Sequence, residues 1–161
     1  MKGKTIEESS VVTVQQMSQA DANLSGNVHG GIIMKLIDTS AGIVARRHSA
    51  NSVVTASIER LDFHNPVYVG DLLMISASIN FVGNTSMEIG ARVEAEDIKT
   101  GKRRHTASAY LTFVALDSEG KPTSVPPLVL LNDEEKRRFS EAEKRHITRR
   151  EERKREERSQ M

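Results

Sequence analysis

Apolar residues recur at i, i+3 and i+4 through Ile32, Ile33, Leu36, Ile37, Ala41 and Val44, with Ser40 on the same face. That spacing predicts one helix over residues 30–47. Before it, the β-branched run 10–15 predicts a first strand. The polar, turn-forming stretch 18–27 reads as the loop that leads into the helix. After Asn51 the pattern changes to strands over residues 52–63, 72–82, 86–96 and 103–115, and the third of these alternates polar and apolar as one face of an antiparallel sheet does. Pro66 removes a ladder donor and closes the first of the four. Turns fall at 67–71, 83–85 and 100–102. The order strand, helix, four strands predicts an α+β fold rather than a doubly wound parallel one. A single apolar helix has one sheet to bury against, so the expected architecture is a curved antiparallel sheet wrapped around one long central helix.

The end of the chain has a different character. Residues 118–127 carry three of the four prolines and read as an extended exit loop. Asn132 then caps a helix that runs toward Arg158, with Glu134 and Arg138, Glu141 and Arg145, and Glu151 and Arg155 spaced as i, i+4 pairs. Only Leu130, Leu131, Phe139, Ala142 and Ile147 offer it apolar docking, so the part beyond Ile147 is expected to be solvated or frayed. Two units follow: a globular domain over 8–131 and a charged helix or tail over 132–161.

Composition bounds the chemistry. The 161 residues are 37% apolar, enough for one domain with a real core, and contain no cysteine. Disulfides, thiolate metal sites and a cysteine nucleophile are thereby excluded. The net charge of +1 hides a concentration, because the last 30 residues hold 11 Lys+Arg and 9 Asp+Glu. That near balance, without interleaved aromatics, argues against nucleic acid as a partner. No apolar run spans a membrane and no leader-like segment opens the chain, so a cytoplasmic, membrane-free protein is expected. The five histidines show no metal-ligand spacing, and no phosphate-cradling glycine motif occurs.

One residue breaks the helical pattern. Asp38 falls between Ile37 and Ala41, on or beside the apolar stripe, where a charge is costly unless it has a partner. Ser40 and Thr55 are the hydroxyls that could hold it structurally. The residues around it resemble the hotdog-fold acyl-CoA thioesterases of the cytosolic, single-domain acyl-CoA hydrolase type. The resemblance runs from about residue 8 to 115 and is carried by Asp21-Ala22-Asn23, Gly26-Asn27-Val28-His29-Gly30-Gly31, Asp38, Ala41-Gly42, Val53-Val54-Thr55-Ala56-Ser57, Asp62-Phe63-His64-Asn65-Pro66-Val67 and Val69-Gly70-Asp71. It implies a sheet wrapped round one helix, edge-to-edge dimers that assemble into trimers of dimers, and hydrolysis of acyl-CoA to free acid and CoA without metal or organic cofactor. It also implies catalytic roles for Asn23 and Asp38.

Those roles agree with what the chemistry needs. A thioester hydrolase requires a base or carboxylate nucleophile, an oriented water and donors for the developing oxyanion. Asp38 supplies the carboxylate, Asn23 the water, and the Gly30-Gly31 amides at the helix start, Gly31 foremost, the donors. Asn27 and His29 are further substrate-contact candidates, and the small run Thr55, Ala56, Ser57 could let a pantetheine arm pass. For the phosphates of CoA the candidates are Arg103 and Arg104, with Asn84, Thr85 and Ser86 at a turn. Asp38 lies seven or eight residues into the helix, about 10–12 Å from its start at 1.5 Å per residue. One thioester cannot touch both ends, and a two-fold dimer that joins Asp38 of one copy to Asn23 and Gly31 of another resolves this. Two other functions remain open at this stage: a hydroxyacyl-thioester dehydratase on the same fold, and a sensor that binds acyl-CoA or a nucleotide without turnover.

Overall fold

The computed structural model describes residues 1–161. Its centre is α1, Gly30–Ser49, which buries Ile33, Ile37, Ser40, Ala41, Val44 and Ala45. Ile32 and Leu36, at the margins of the expected stripe, are partly buried against the same core. Complete burial of a side chain such as Ile37 contributes about 1.5–3 kcal/mol. The helix ends with Arg46, Arg47 and His48 in its last turn, where the dipole favours cations, and stops at Ala50, which takes the left-handed conformation at φ 54°.

The sheet against α1 has five strands. In chain order they are β2 (Val11–Gln16), β3 (Ser52–Phe63), β4 (Leu72–Val82), β5 (Ser86–Glu96) and β6 (Arg103–Leu116); in space the order is β2-β4-β5-β6-β3, antiparallel throughout. The meander β4-β5-β6 forms because short turns join strands of matching length. Its inner face presents Ile75, Ile79, Met87, Ile89, Val93, Leu111 and Phe113, all buried, to the helix. The expected α+β architecture is therefore the observed one. β3 is an edge strand, and Val54, Ile58 and Phe63 on it remain substantially exposed.

Two elements lie outside the sequence expectation. Lys4–Thr5 (β1) pairs in parallel with Leu128–Val129 (β7), tying the start of the chain to the exit segment. Both strands are too short to show a period. The second helix, α2 (Asp133–Ser159), begins as expected with Asn132 accepting the Glu135 amide at 2.9 Å, and remains helical to Ser159. It lies across the outer face of the sheet. Phe139 packs on Phe81 with ring centroids 5.0 Å apart, and Ala142 is fully buried, whereas Leu131 and Ile147 stay exposed.

Charge does the rest of the docking. Glu88, 4% exposed, receives Arg145 through both carboxylate oxygens at 2.7 and 3.2 Å. Arg149 reaches Glu59 and Thr112. Of the expected i, i+4 pairs, Glu134–Arg138 forms at 2.7 Å. Glu141 pairs instead with Arg137, because Arg145 is engaged below with the sheet. No helix is long and apolar enough to cross a membrane.

Candidate active site

The start of α1 is held by its own cap. His29 donates its backbone N–H to Asp21 O at 2.7 Å, and its Nδ1 accepts the Gly31 amide at 2.9 Å. The Gly31 donor expected for an oxyanion is therefore engaged, while the Gly30 amide has no acceptor within the chain. A helix start with a free N–H and the positive end of the dipole favours a developing negative oxygen. Gly30 also sits close to the Phe63 ring, 3.6 Å from where a Cβ would stand.

Asn23 forms a compact turn beside it. Its Oδ1 accepts the amides of Ser25 at 2.9 Å and Asn27 at 3.2 Å, and its own amide binds Asn27 O at 2.7 Å. The side-chain NH2 is left without a protein acceptor. A cavity of about 390 Å3 opens here, lined by Asn23, Asn27, Gly30, Phe63, His64 and Asn65 among others. The loop–helix–strand junction thus gathers Asn23, Asn27 and Gly30 as expected. Phe63 and His64 also line this cavity; neither was among the expected site residues, although both belong to the Asp62–Val67 stretch that carried the family resemblance. His64 stacks at 4.7 Å on His105, whose Nε2 meets Ser108 Oγ at 2.7 Å.

Asp38 is elsewhere. It is half-buried at the margin of the apolar stripe, and its Oδ1 accepts the Thr55 hydroxyl at 2.6 Å. Ser40, the other candidate partner, instead shares a hydrogen bond with Thr13 at 2.7 Å and donates to Leu36 O. Thr55 faces α1 from β3, and the register then shifts between Thr55 and Ser57. That bulge turns Ser57 to the outer face, where it donates to Glu59 at 2.6 Å and meets Arg149. Ser57 therefore belongs to the α2 contact and not to the Asp38 side, which corrects the expectation for that residue. Ala56 is exposed at the bulge.

The cations expected to meet phosphate are committed within the chain. Arg104 donates to Asp71 Oδ2 at 2.5 Å, lies over the Tyr68 ring at 5.1 Å and has its Nε buried. Asp71 also accepts the Tyr68 amide, so the pair closes the turn before β4 and serves structure. Arg103 is exposed and pairs with Glu96 at 3.3 Å. Asn84 holds the exit segment, its Oδ1 accepting the Ser124 hydroxyl and its carbonyl the Val125 amide, while Thr85 O takes the Ala115 amide of β6. Ser86 opens β5 beside them. No group of three or more His, Asp or Glu stands close enough to hold a metal ion.

Within one chain the two halves of the site do not meet. Gly30 and Asp38 are separated by about 12 Å of helix. The β3 residues beside them, Phe63 and Thr55, are separated by about 26 Å of extended strand at 3.3 Å per residue. Asp38 does not line the cavity that Asn23 and Gly30 share.

Comparison with known proteins gives this arrangement a context. The family model of the thioesterase superfamily matches residues 25–102. The cytosolic acyl coenzyme A thioester hydrolase of Rattus norvegicus is 41% identical over 145 residues, which are 89% of this chain and 38% of that protein. This chain thus spans about two fifths of the length of such relatives. An apo-hexameric acyl-CoA thioesterase superposes with a TM-score of 0.89 at 34% identity, covering 94% of this chain and 97% of that one. The acyl-CoA hydrolase of Staphylococcus aureus, solved with butyryl coenzyme A, coenzyme A and coenzyme A disulfide, gives 0.86 at 36% identity, covering 97% and 94%. Its solved variants replace an asparagine, an aspartate and a threonine by alanine at positions that are successively fifteen and seventeen residues apart. Asn23, Asp38 and Thr55 have the same spacing.

Proposed function

Because the chain belongs to the acyl-CoA thioester hydrolase family of the thioesterase superfamily, we propose that it hydrolyses acyl-CoA to a free acid and CoA at a site shared by two copies. The observation that carries this is the Asp38–Thr55 hydrogen bond beside the free edge of β3. An edge strand this long, with apolar side chains exposed along it, is a template for pairing with another strand. Antiparallel pairing of two β3 strands about an axis near Glu59, midway between Thr55 and Phe63, sets the Asp38 end of one copy beside the Asn23 and Gly30 end of the other. Two equivalent sites result. The matching spacing in the S. aureus variants supports the assignment of the three side chains, and the hexameric relative supports a homo-oligomer.

In such a site the Thr55 hydroxyl holds the Asp38 carboxylate in one orientation. The free oxygen takes a proton from a water that the partner subunit's Asn23 holds through its side-chain amide. The water oxygen attacks the thioester carbonyl carbon, and the oxyanion that forms lies at the free Gly30 amide. Collapse breaks the C–S bond, and the thiolate of CoA leaves and takes up the proton. In the alternative route the carboxylate itself attacks and water opens the anhydride. Neither route calls for a metal or organic cofactor. A dehydratase would want a histidine against the acid, and the partner of Asp38 is a threonine. The names of the mammalian relatives place those proteins in the cytosol, and we propose the same location for this one.

Release of free thiol from acyl-CoAs of acetyl to palmitoyl length tests the proposal. Turnover by the native protein that is lost in Asp38→Asn is expected. Tight binding of the same acyl-CoAs with no thiol released would replace hydrolase by sensor.

A further inference from the structure

A thioester whose carbonyl lies at the Gly30 amide still has to send its acyl chain somewhere, and a run of methylenes needs apolar surface. Three directions lead away from that amide. Inward, the way is closed by Val28, Ile33 and Val67, which belong to the buried core and form the back of the cavity. On the loop side the lining is Asn23, Asn27 and Asn65, whose amides suit the polar pantetheine arm rather than a hydrocarbon. The third direction runs along the free edge of the sheet toward the Asp38 end, and there the apolar side chains are exposed.

Met34 stands on that path. Residues i, i+4 and i+8 follow one another along one side of a helix, and Gly30, Met34 and Asp38 are so spaced. Both ends of the series meet β3: Gly30 at the Phe63 ring, Asp38 at the Thr55 hydroxyl. Met34 therefore lies on the β3 side of α1, one turn from each half of the site. It is 40% exposed, although Ile33 and Ile37 in the same turns are buried. On β3 the corresponding residue is Ile58. Its pairing with the buried Leu111 puts it on the inner face, between Thr55 and Phe63, and it too is 40% exposed.

The two-fold axis of the proposed dimer passes through this midpoint. Pairing of β3 strands about Glu59 brings both Ile58 side chains close to the axis on the inner face, and it lays the two α1 helices antiparallel with their Met34 positions opposed. Each carbonyl, at Gly30, is then four residues from the axis, about 6 Å at 1.5 Å per residue. We infer that Met34 and Ile58 of both copies form the end wall of the acyl pocket and restrict the substrate to short acyl groups. The room is for about four or five carbons, since each carbon advances an extended chain by rather less than the C–C bond length of about 1.52 Å. This rests on the shared-site hydrolase proposed above. Because the wall lies on the axis, one substitution changes both sites at once.

Steady-state thiol release across straight-chain acyl-CoAs from acetyl to decanoyl reads the wall directly. In the native protein kcat/KM is expected to rise about fourfold for each methylene buried, as far as butyryl or pentanoyl, and to fall beyond. Met34→Ala should move the maximum by about two carbons, into the room that the lost Cγ, Sδ and Cε leave. The hexanoyl-to-butyryl ratio of kcat/KM then rises about tenfold or more. Met34→Trp should move the maximum toward acetyl. Ile58→Ala should act in the same direction as Met34→Ala and decides the matter if the Met34 variants fail to fold. Lys35→Ala, next in the chain but turned to solvent, should leave the maximum in place. A maximum that stays put in the Met34 and Ile58 variants, while they still release thiol and keep the native mass of the oligomer, overturns the wall and leaves the shared site standing. A native maximum at decanoyl overturns it as well. A native protein that releases no thiol from any acyl-CoA, or that is monomeric by native mass, overturns the reading on which the wall rests.

Discussion

Thr55 donates its hydroxyl to Asp38 across 2.6 Å, joining the edge strand of the sheet to the central helix at the one acidic residue of that helix. Hydrogen bonds to a charged acceptor contribute about 1.5–3 kcal/mol. Thr55→Ala is accordingly expected to lower kcat/KM for acyl-CoA by about 10- to 100-fold, as every 1.4 kcal/mol is tenfold. Thr55→Ser, which keeps the hydroxyl, should retain most of the rate. Equal losses in the two variants, measured by steady-state thiol release, would show that the β-branched methyl and not the hydrogen bond is what matters.

Replacement of the carboxylate itself separates chemistry from binding. Asp38→Asn keeps the shape and can still take the Thr55 hydroxyl bond, but it cannot accept the proton. Loss of a positioned general base costs about 10²- to 10⁴-fold in kcat. Calorimetry with CoA should show binding of this variant within a few-fold of the native protein. A variant that loses CoA binding and turnover together would mark Asp38 as a structural residue.

The outer face provides a stability test. Glu88 is almost wholly buried under α2 and is neutralised by Arg145, with Asn80 donating to it at 3.3 Å. Arg145→Ala leaves that charge buried and unpaired, a loss of about 3–5 kcal/mol. The double replacement Glu88→Leu with Arg145→Leu removes both charges and should recover most of the urea midpoint. Retention of the native midpoint by Arg145→Ala alone would mean that α2 is not seated as described.

Acid should loosen the link between α1 and the exit segment. His48 is fully buried with its Nε2 donating to Pro126 O at 2.7 Å, and burial holds the imidazole below the ordinary histidine value of 6.5 despite that hydrogen bond. His146, beside Phe81, is lowered as well, first by burial and then by Arg150. As the pH falls through 6.5 the unfolded chain binds protons that the folded chain refuses, so stability decreases from there until the depressed folded-state values are reached. Thermal midpoints recorded from pH 8 to 5 should fall below 6.5. The fall should be shallower in His48→Gln; an unchanged slope in that variant would assign the acid sensitivity elsewhere.

The inner layer of the molecule was legible in the sequence because burial imposes a period. Ile33, Ile37, Ala41 and Val44 can share a face only as a helix, and Pro66 and the turn residues delimit the strands as expected. The outer layer was not. Arg145 and Arg149 spell the same letters whether they pair along their own helix or plunge into the sheet, and only the fold places Glu88 and Glu59 beneath them. Arg104 was expected at phosphate for a similar reason: its burial partner, Asp71, is 33 residues away in the chain. The bulge after Thr55 could not be read either, and it separates Thr55 from Ser57, two neighbours that looked like one motif. At the helix start the sequence put Gly31 foremost as the oxyanion donor, and no spacing could show that the His29 ring takes that amide as a cap.

What one chain lacks defines the central claim. Asn23 and Gly30 line one cavity and Asp38 with Thr55 stands apart from it, so the proposed hydrolytic site draws on two copies. The direct measurement is to mix Asn23→Ala with Asp38→Ala, each inactive alone, and follow thiol release as the subunits exchange. Mixed dimers contain one site with both native side chains, so activity should rise toward about one quarter of the native value at equal mixing, half of the dimers being mixed and each having one intact site of two. Exchange verified by mass with no recovery of activity would contradict the shared site.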